Sequence, residues 1–382
     1  MKNIPYGRQW VDASDIKEVV KVLKSDWLTQ GPKIKEFEEA LCTYTGAKYA
    51  VAVSNGTAAL HISCLAADIK KDDEVITSPI TFIASANSIL YCGGKPVFAD
   101  IQEDTVNIDP EEIKKEINPA TRAVIPVHFA GHPCDLEEIK EIAERNKALI
   151  IEDASHALGA EYKGSKIGSC KYSDMTVFSF HPVKHITTGE GGAILTNQKN
   201  LYERLLLFRN HGITKDKKKM AGYDGPWYYE MQELGFNYRI TDFQCALGIS
   251  QLKKLKKYIE RRRDLVRIYN KGLAEMDKII LPVERPYVKS SWHIYYIRLK
   301  DTTKRRFVFE ELQKLGIGVQ VHYIPVHLQP YYRKNFGYKP GDYPKAEDYY
   351  SSTITLPLYP KIINSEIRDV TNILKSCISR KL

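Results

Sequence analysis

Short, continuous apolar runs alternate with amphipathic stretches over the first half of the chain. Each run is rich in Val, Ile or Ala and is too short for a helix. Continuous apolar strands separated by helical stretches are typical of a mainly parallel sheet that is covered on both faces. The pattern therefore predicts an α/β fold. The predicted strands are residues 49–53, 74–77, 96–99, 123–127, 148–152, 175–180 and 192–196.

The amphipathic stretches predict helices, and the pattern changes character toward the C-terminus. The predicted helices are residues 15–24, 33–45, 57–67, 136–146, 242–273 and 304–315, with a last helix from about residue 365. Strands are predicted at 292–299, 318–322 and 353–356. We expect two domains: a large domain over 1–281, with an N-terminal arm and a long connecting helix, and a small α+β domain over 282–382.

Composition narrows the class of protein. The chain has 382 residues, of which 43% are hydrophobic and 27% charged, which is ordinary for a globular protein with a sizeable core. No apolar run approaches the roughly 20 residues that a membrane span needs, and the first residues lead into no apolar signal region. We therefore expect a cytoplasmic protein. The seven cysteines are scattered, which favours reduced structural thiols over a redox or metal role.

The formal net charge of +9 raises the question of nucleic acid. The basic residues concentrate in two runs, 215–219 and 253–263, and the second lies in a helical pattern that is typical of a solvated face. Neither zinc-finger spacing nor an RNA-binding aromatic motif accompanies them. A positive field also suits a phosphorylated small substrate, so nucleic acid is only a weak alternative.

Residues 54–60, Ser-Asn-Gly-Thr-Ala-Ala-Leu, follow a predicted strand and open a predicted helix. Backbone amides at a helix N-terminus, together with the Thr57 hydroxyl, can form a cradle for a phosphate group. The same residues are also typical of ordinary helix capping by Ser54, Asn55 or Thr57. By itself the segment leaves both interpretations open.

Two further segments place ionisable residues after buried strands. Asp153 follows the strand 148–152, and ligands bind at the carboxyl ends of strands in open α/β sheets. A carboxylate there can keep a pyridine nitrogen protonated, or it can simply cap a helix. Lys184 follows the strand 175–180, with Ser179 before it and a glycine cluster after it. A lysine in such a crevice can lose its proton and attack a carbonyl, while the hydroxyl can meet a phosphate.

Taken together, these segments resemble the DegT/DnrJ/EryC1/StrS family of sugar aminotransferases, which depend on pyridoxal 5'-phosphate (PLP). The resemblance extends over essentially the whole chain. It implies the PLP-dependent transferase fold type I, which is aspartate aminotransferase-like: a large, mainly parallel sheet domain plus a small α+β C-terminal domain. The segments that carry it are residues 28–32, 54–60, 78–85, 152–156, 178–192, 208–212 and 235–242.

The resemblance implies a role for each matching residue. Lys184 is expected to carry PLP as a Schiff base and to transfer a proton between the amino carbon and the cofactor's C4′ atom. Asp153 is expected to pair with the ring nitrogen, Phe82 to stack on the ring, and His156 to lie near the phenolic oxygen. The expected phosphate ligands are Thr57, the Ala58 amide, Ser179 and, from a partner subunit, Asn237. The resemblance therefore also implies a homodimer with shared active sites.

The substrate pocket is less strongly indicated. Arg239 is a candidate anion binder, although a surface salt bridge explains it nearly as well. Further candidates lie in segments that line the pocket in similar proteins, and each could equally be an ordinary core or surface group. They are Tyr6, Gln30, His322, His327 and Tyr331.

Within the family, the lysine segment is similar to enzymes of pseudaminic acid biosynthesis. This implies transfer of the amino group of L-glutamate to C4 of a UDP-linked 4-keto-6-deoxy N-acetyl-hexose. GDP-perosamine synthases and an aminoarabinose enzyme share part of the pattern, and His185 stands where Pro is expected, so another nucleotide sugar is the alternative. Because Lys184 is intact, transamination is favoured over the family's dehydratase branch, which has His in place of this lysine. A PLP-binding sensor without turnover is the alternative from another class.

Overall fold

The structure is a computed structural model that describes residues 3–380. Residues 1–2 of the predicted large domain and residues 381–382 of the predicted small domain lie outside the described residues. The helices are α1 Ala13–Leu23, α2 Pro32–Thr45, α3 Gly56–Ala66, α4 Ala84–Tyr91, α5 Pro110–Glu116, α6 Leu136–Arg145, α7 Lys199–Arg209, α8 Asp242–Leu252, α9 Leu255–Leu273, α10 Arg305–Lys314, α11 Pro330–Phe336, α12 Pro344–Ser352 and α13 Asn364–Ser379. Three short 3₁₀ helices are Phe129–Gly131, Thr302–Lys304 and Val326–Leu328.

The strands include all seven that the apolar runs predict for the first half of the chain, shifted by at most two residues at either end. They are β1 Tyr49–Val53, β2 Glu74–Thr77, β3 Lys95–Phe98, β4 Thr121–Ile125, β5 Leu149–Asp153, β6 Glu161–Tyr162, β7 Ser165–Lys166, β8 Met175–Ser179, β9 Gly192–Thr196, β10 Ile213–Thr214, β11 Glu230–Met231, β12 Ile279–Ile280, β13 Val288–Lys289, β14 Tyr295–Leu299 and β15 Thr353–Leu356.

Seven strands form one central sheet in the order β1-β9-β8-β5-β4-β2-β3. Strand β9 runs antiparallel to both of its neighbours, β1 and β8, and the other neighbouring pairs are parallel. Strand β1 therefore points the same way as β8. The carboxyl ends of six strands consequently meet at one edge of the sheet, and the predicted mainly parallel α/β fold is confirmed.

Helices cover both faces of this sheet, which explains why its strands are apolar throughout. In β1, Ala50 and Ala52 face one core with Phe37 of α2, while Val51 and Val53 face the other with Leu60 of α3. Successive strand residues point to opposite faces, so a strand buried on both sides needs apolar residues at every position. The covered sheet is the reason that continuous runs, rather than alternating ones, identify these strands.

A separate core belongs to the C-terminal part of the chain. It is built on the sheet β12-β14-β15 and contains Tyr295, Leu312 and Val370. Helix α9 joins the two cores, because Leu255 packs in the large core and Tyr269 in the small one. The boundary between residues 281 and 282 stays a prediction, since the connecting helix contributes to both.

Two predicted elements are wrong. The helix expected over 242–273 is two helices: α8 ends at Leu252 and α9 begins at Leu255, with a turn between them. In this turn the Lys254 ammonium pairs with Asp12 and Asp15 at the start of α1. The strand expected at 318–322 makes only single bridges: the Gly318 amide donates to Ile4, and Gln320 pairs with Thr355. Its would-be partner, the N-terminal arm, runs alongside too briefly to form a ladder.

Several helices were not predicted: α4, α5, α7, α11 and α12.

Of the helices between residues 3 and 380, none combines the length and apolar character that crossing a bilayer requires.

Arg262 ties the connecting helix to the small core. Its side chain is 2% exposed, and its Nη1 atom donates to the carbonyl oxygens of Trp292, His293 and Leu358 at 2.9–3.1 Å. We expect Arg262→Met to leave these buried carbonyls without a donor and to cost about 2–3 kcal/mol of stability. The measurement is the urea midpoint of unfolding, which should fall.

The matched control is Lys256→Met on the same helix, where the side chain is 88% exposed. This change should leave the midpoint nearly unchanged, since an exposed ion pair contributes little. Equal midpoints for the two variants would contradict the structural role of Arg262.

Candidate active site

The candidate site lies at the edge where the parallel strands end. Asp153 is the last residue of β5, Ser179 is the last residue of its parallel neighbour β8, and Lys184 lies in the turn that follows. The N-terminus of α3 follows β1, which points the same way. Sheet topology therefore gathers three segments that are well separated in sequence, as ligand sites in open α/β sheets require.

Asp153 is buried, and both of its carboxylate oxygens accept hydrogen bonds. Ser85 donates its Oγ hydroxyl to Oδ2 at 2.7 Å, and the Ser155 amide donates to Oδ1 at 3.1 Å. The segment after β5 is a turn rather than a helix, so the helix-capping alternative for Asp153 is wrong. A carboxylate at this position, when ionised, can neutralise a positive ring nitrogen.

Lys184 carries an unusually acidic ammonium group. Burial lowers its pKa to about 8, and the nearby charge of Asp153 opposes this shift without cancelling it. Among residues 3–380, no side chain or carbonyl forms a hydrogen bond or ion pair with Lys184 Nζ. A substantial fraction of the amine is therefore neutral near pH 8 and available to attack a carbonyl carbon.

The N-terminus of α3 packs directly on Ser179. A Cβ atom on Gly56 would lie 2.9 Å from Ser179 Cβ, so only glycine permits this approach. Asn55 caps the helix by accepting from the Ala58 amide at 2.8 Å, whereas the amides of Gly56 and Thr57 have no acceptor in the described part of the chain. The capping alternative thus holds for Asn55. The Ala58 amide takes part in this cap, and its role as a phosphate ligand stays a prediction.

Four histidines surround this edge. The rings of His156 and His293 contact each other in a tilted arrangement with 4.2 Å between their centroids, and the His185 ring lies 5.5 Å from that of His293. Burial is the largest cause that lowers the pKa of all three well below the ordinary value, and it lowers the pKa of His322 to about 4. The positive charge of Lys184 adds to each of these shifts. All four imidazoles are therefore neutral at neutral pH and act as hydrogen-bonding groups rather than cations.

Tyr323 extends this cluster toward solvent. Its hydroxyl lies 3.1 Å from His156 Nε2, and its ring centroid lies 6.3 Å from that of Phe82. The Phe82 ring is 58% exposed, although aromatic rings are usually covered. An exposed ring beside the site can offer a face to a planar ligand. The stacking role of Phe82 stays a prediction.

Some of the predicted substrate residues lie close to this cluster, and others do not. The Tyr6 ring is 5.8 Å from the His322 ring, so the N-terminal arm reaches the site. Gln30 is exposed, and Arg239 donates to the Asn210 side chain at 2.6 Å instead of pairing with an acid. Asn237 is exposed as well, which leaves it accessible to another subunit. The roles of these residues stay predictions.

The prediction for His327 is contradicted. Its side chain is completely buried in a 3₁₀ helix, and its Nε2 atom lies 2.9 Å from Glu347 Oε1. No surface of this ring is left for a substrate. Tyr331 lies on the outside of α11, 59% exposed, and its ring contacts that of Tyr332 rather than the cluster around Lys184.

Three residues near the site were not predicted from the sequence: Ser85, His293 and Tyr323. Ser85 ends the segment 78–85 that carries part of the family resemblance, so the signal for it was present without a role. Nothing in the local pattern distinguishes His293 or Tyr323, because they come from the C-terminal part of the chain and meet His156 only in three dimensions.

The residues at this edge fit PLP. Lys184 offers an unpaired amine for its aldehyde, Asp153 a buried carboxylate for its ring nitrogen, and α3 two unpaired amides beside Ser179 for its phosphate. Within residues 3–380, no group of three or more His, Cys, Asp or Glu side chains is arranged to bind a metal ion.

Comparison with known proteins gives a consistent result. Residues 9–375 match the sequence profile of the DegT/DnrJ/EryC1/StrS aminotransferase family. The chain is 39% identical over 382 residues to a UDP-4-amino-4,6-dideoxy-N-acetyl-beta-L-altrosamine transaminase of Campylobacter jejuni, with 99% of this chain and 98% of that protein covered.

Two solved structures have the same fold. PseC of Helicobacter pylori, an aminotransferase of pseudaminic acid biosynthesis, superposes with a TM-score of 0.92 at 34% identity, covering 98% of this chain and 99% of that one. The PLP form of Spr1654 from Streptococcus pneumoniae, a proposed sugar aminotransferase, superposes with a TM-score of 0.91 at 32% identity and 98% coverage of both chains.

Proposed function

Because the chain belongs to the DegT/DnrJ/EryC1/StrS aminotransferase family and is a PLP-dependent sugar aminotransferase, we propose a specific reaction for it. The enzyme transfers the amino group of L-glutamate to C4 of a UDP-linked 4-keto-6-deoxy N-acetyl-hexose, a step of pseudaminic acid biosynthesis. The observation that carries this substrate is the full-length similarity to the Campylobacter jejuni transaminase, whose name specifies such a 4-amino sugar.

The proposal assigns each end of the cofactor to residues of this chain. Thr57 and Ser179 bind the phosphate, and Phe82 covers one face of the ring. Asp153 holds the ring nitrogen in its protonated form, and His156 lies at the phenolic oxygen. The packing of α3 on Ser179 and the burial of the Asp153 side chain support these assignments. PLP, when bound, supplies an electron sink for the carbon that gains or loses the amino group.

Lys184 is assigned two tasks. It binds the cofactor covalently through Nζ, and it moves a proton between the substrate's amino carbon and the cofactor's C4′ atom. A pKa of about 8 suits both tasks, because the amine can release and accept a proton near neutral pH. The neutral histidines nearby support this arrangement, since protonated imidazoles would lower the pKa of Lys184 still further.

The active unit that we propose is a homodimer. Asn237 is exposed in its own chain, as a residue that reaches a partner's phosphate site must be. Arg239 lies in the same segment as Asn237 and forms a single backbone bridge with Val53 at the end of β1. Its side chain donates a hydrogen bond to the Asn210 side chain. We assign Arg239 to anion binding, either of the glutamate carboxylate or of the nucleotide.

The sugar specificity is tested with purified enzyme, PLP and L-glutamate. UDP-linked and GDP-linked 4-keto-6-deoxy sugars, made by matching dehydratases, are offered separately, and mass spectrometry detects replacement of the keto oxygen by an amine. We expect amination of the UDP-linked N-acetyl sugar and at least about tenfold less of the GDP-linked one, since binding groups matched to one sugar nucleotide are left unpaired by another.

The outcomes separate the parts of the proposal. Amination of the GDP-linked sugar alone would overturn the substrate and leave the reaction class intact. If glutamate fails to convert the bound cofactor to its amine form, the amino donor is wrong. Incubation of the enzyme with other amino acids then identifies the donor that does convert it.

A further inference from the structure

We propose that Ser85 is a positioning residue for Asp153, and that Thr81 in turn positions Ser85. The two hydroxyls hold the carboxylate in one orientation toward the open edge of the sheet. The inference rests on the proposed role of Asp153 as the partner of the cofactor's ring nitrogen.

The geometry is a chain of short hydrogen bonds in a dry environment. Ser85 Oγ lies 2.7 Å from Asp153 Oδ2, and Thr81 Oγ1 lies 2.7 Å from Ser85 Oγ. Ser85 is 0% exposed and Thr81 is 2% exposed. Water cannot replace either hydroxyl at such depth without a rearrangement, so the loss of one leaves its neighbour without a partner.

The chemistry of the groups sets the direction of the protons. An ionised carboxylate only accepts hydrogen bonds, so the single Ser85 hydroxyl proton points to Asp153. Thr81 must then donate its own proton to Ser85 Oγ. Each donation strengthens the next, because a hydroxyl that accepts a hydrogen bond becomes a better donor.

These hydrogen bonds leave the Asp153 carboxylate able to accept further ones. One oxygen accepts from Ser85 and the other from the Ser155 amide, while a carboxylate has about four lone-pair positions. Two bonds to two different oxygens prevent rotation of the group. A hydrogen bond to the charged form also stabilises that form, which is the form that a protonated ring nitrogen needs.

The same short segment connects Asp153 to the predicted stacking ring. Thr81 immediately precedes Phe82, and Ser85 lies in the first turn of α4. The turn that orients the carboxylate therefore also places the aromatic side chain. The two proposed contacts with the cofactor ring, from Asp153 at its edge and from Phe82 on its face, therefore both depend on the conformation of residues 81–85.

The test is a double-mutant cycle on cofactor affinity. We expect Ser85→Ala to weaken the binding of PLP about tenfold, as measured by fluorescence titration of the apo-protein, because a hydrogen bond to a charged group is lost. In an Asp153→Asn background the same change should have less than about a twofold effect, since the charge on which Ser85 acts is gone.

Ser88→Ala is the matched control. Ser88 lies on the same helix and is equally buried, but its hydroxyl donates to the Ser85 carbonyl and does not contact Asp153. This change should leave PLP affinity within about twofold of the value without it in both backgrounds. A purely structural effect on α4 would instead change the affinity. Thr81→Val is a milder probe that should weaken binding about threefold and only when Asp153 is present.

The results discriminate between the possible errors. If Ser85→Ala weakens PLP binding equally in both backgrounds, Ser85 acts through the fold and the inference is overturned. If Asp153→Asn binds PLP as tightly as the wild type does, the proposed role of Asp153 itself fails. If Ser85→Ala does not fold, an effect of Thr81→Val that is independent of Asp153 overturns the inference in its place.

Discussion

Replacing Lys184 by alanine is expected to reduce transamination by roughly 10⁴-fold or more. The change removes the proposed nucleophile, which is also the group proposed to move the proton, and general acid–base catalysis alone typically contributes about 10²–10⁴-fold. No other lysine can substitute, because the low pKa of Lys184 depends on burial at this position, which outweighs the opposing charge of Asp153. Formation of the amino sugar, followed by mass spectrometry, measures the effect.

Two comparisons make this prediction specific. Lys184→Arg keeps a positive charge at the site but offers no nucleophile, and we expect it to be as inactive as Lys184→Ala. Lys199→Ala changes a lysine that is 74% exposed on α7, and it should retain full activity. Borohydride should fix PLP to the wild type and not to Lys184→Ala. More than about 1% residual activity in Lys184→Ala would overturn the assignment of the nucleophile.

Asp153→Asn is expected to lower kcat by about 10²–10³-fold. The amide has nearly the same shape as the carboxylate, so the fold can persist. Its oxygen can still accept from the Ser155 amide, and its NH2 group can donate to Ser85 Oγ. It carries no charge, however, and cannot stabilise a positive ring nitrogen while negative charge develops on the reacting carbon. Removing one preorganised electrostatic partner of this kind typically costs two to three orders of magnitude in rate. Steady-state kinetics with the sugar substrate measures it.

Asp174→Asn provides the control from the opposite edge of the same sheet. Asp174 precedes β8, and its Oδ2 atom accepts from the Ile150 amide at 2.8 Å. An amide oxygen can still accept this bond, so kcat should remain within about twofold. A kcat for Asp153→Asn that is also within about tenfold of the wild type would show that the ring nitrogen does not depend on this carboxylate.

Local sequence patterns predicted the central sheet well, for a physical reason. Each of its strands is covered on both faces, so every position is apolar and the run stands out from its surroundings. The order of the strands and the reversal of β9 are not contained in any one run. They depend on which edges pair, and that is decided by contacts between residues far apart in sequence.

The failures in the C-terminal part have the same origin. Residues 318–322 have the composition of a strand, but only single residues pair on either side. Likewise, the apolar periodicity runs on past residue 252, while α9 turns away to join a second core. In both cases the local preference is real, and tertiary packing overrides it.

The residues of the candidate site were likewise predictable only in part from local sequence patterns. Lys184, Asp153 and Ser179 could be named from the sequence, because each lies at or just after the end of a buried strand and parallel strands end at one edge. Family resemblance added Phe82 and His156. Without the resemblance, a lysine after a strand has no distinguishing mark.

By itself, then, the sequence determined the fold class, because that follows from local apolar runs. It also named the candidate residues of the site, because the motifs at the ends of those runs together resemble a known family. Only the tertiary structure decided what surrounds those residues. The Ser85 hydroxyl on Asp153, the histidines around Lys184 and the burial of His327 all arise from segments brought together by packing. Burial and neighbouring charges set the pKa of Lys184, and neither quantity exists until the chain is folded.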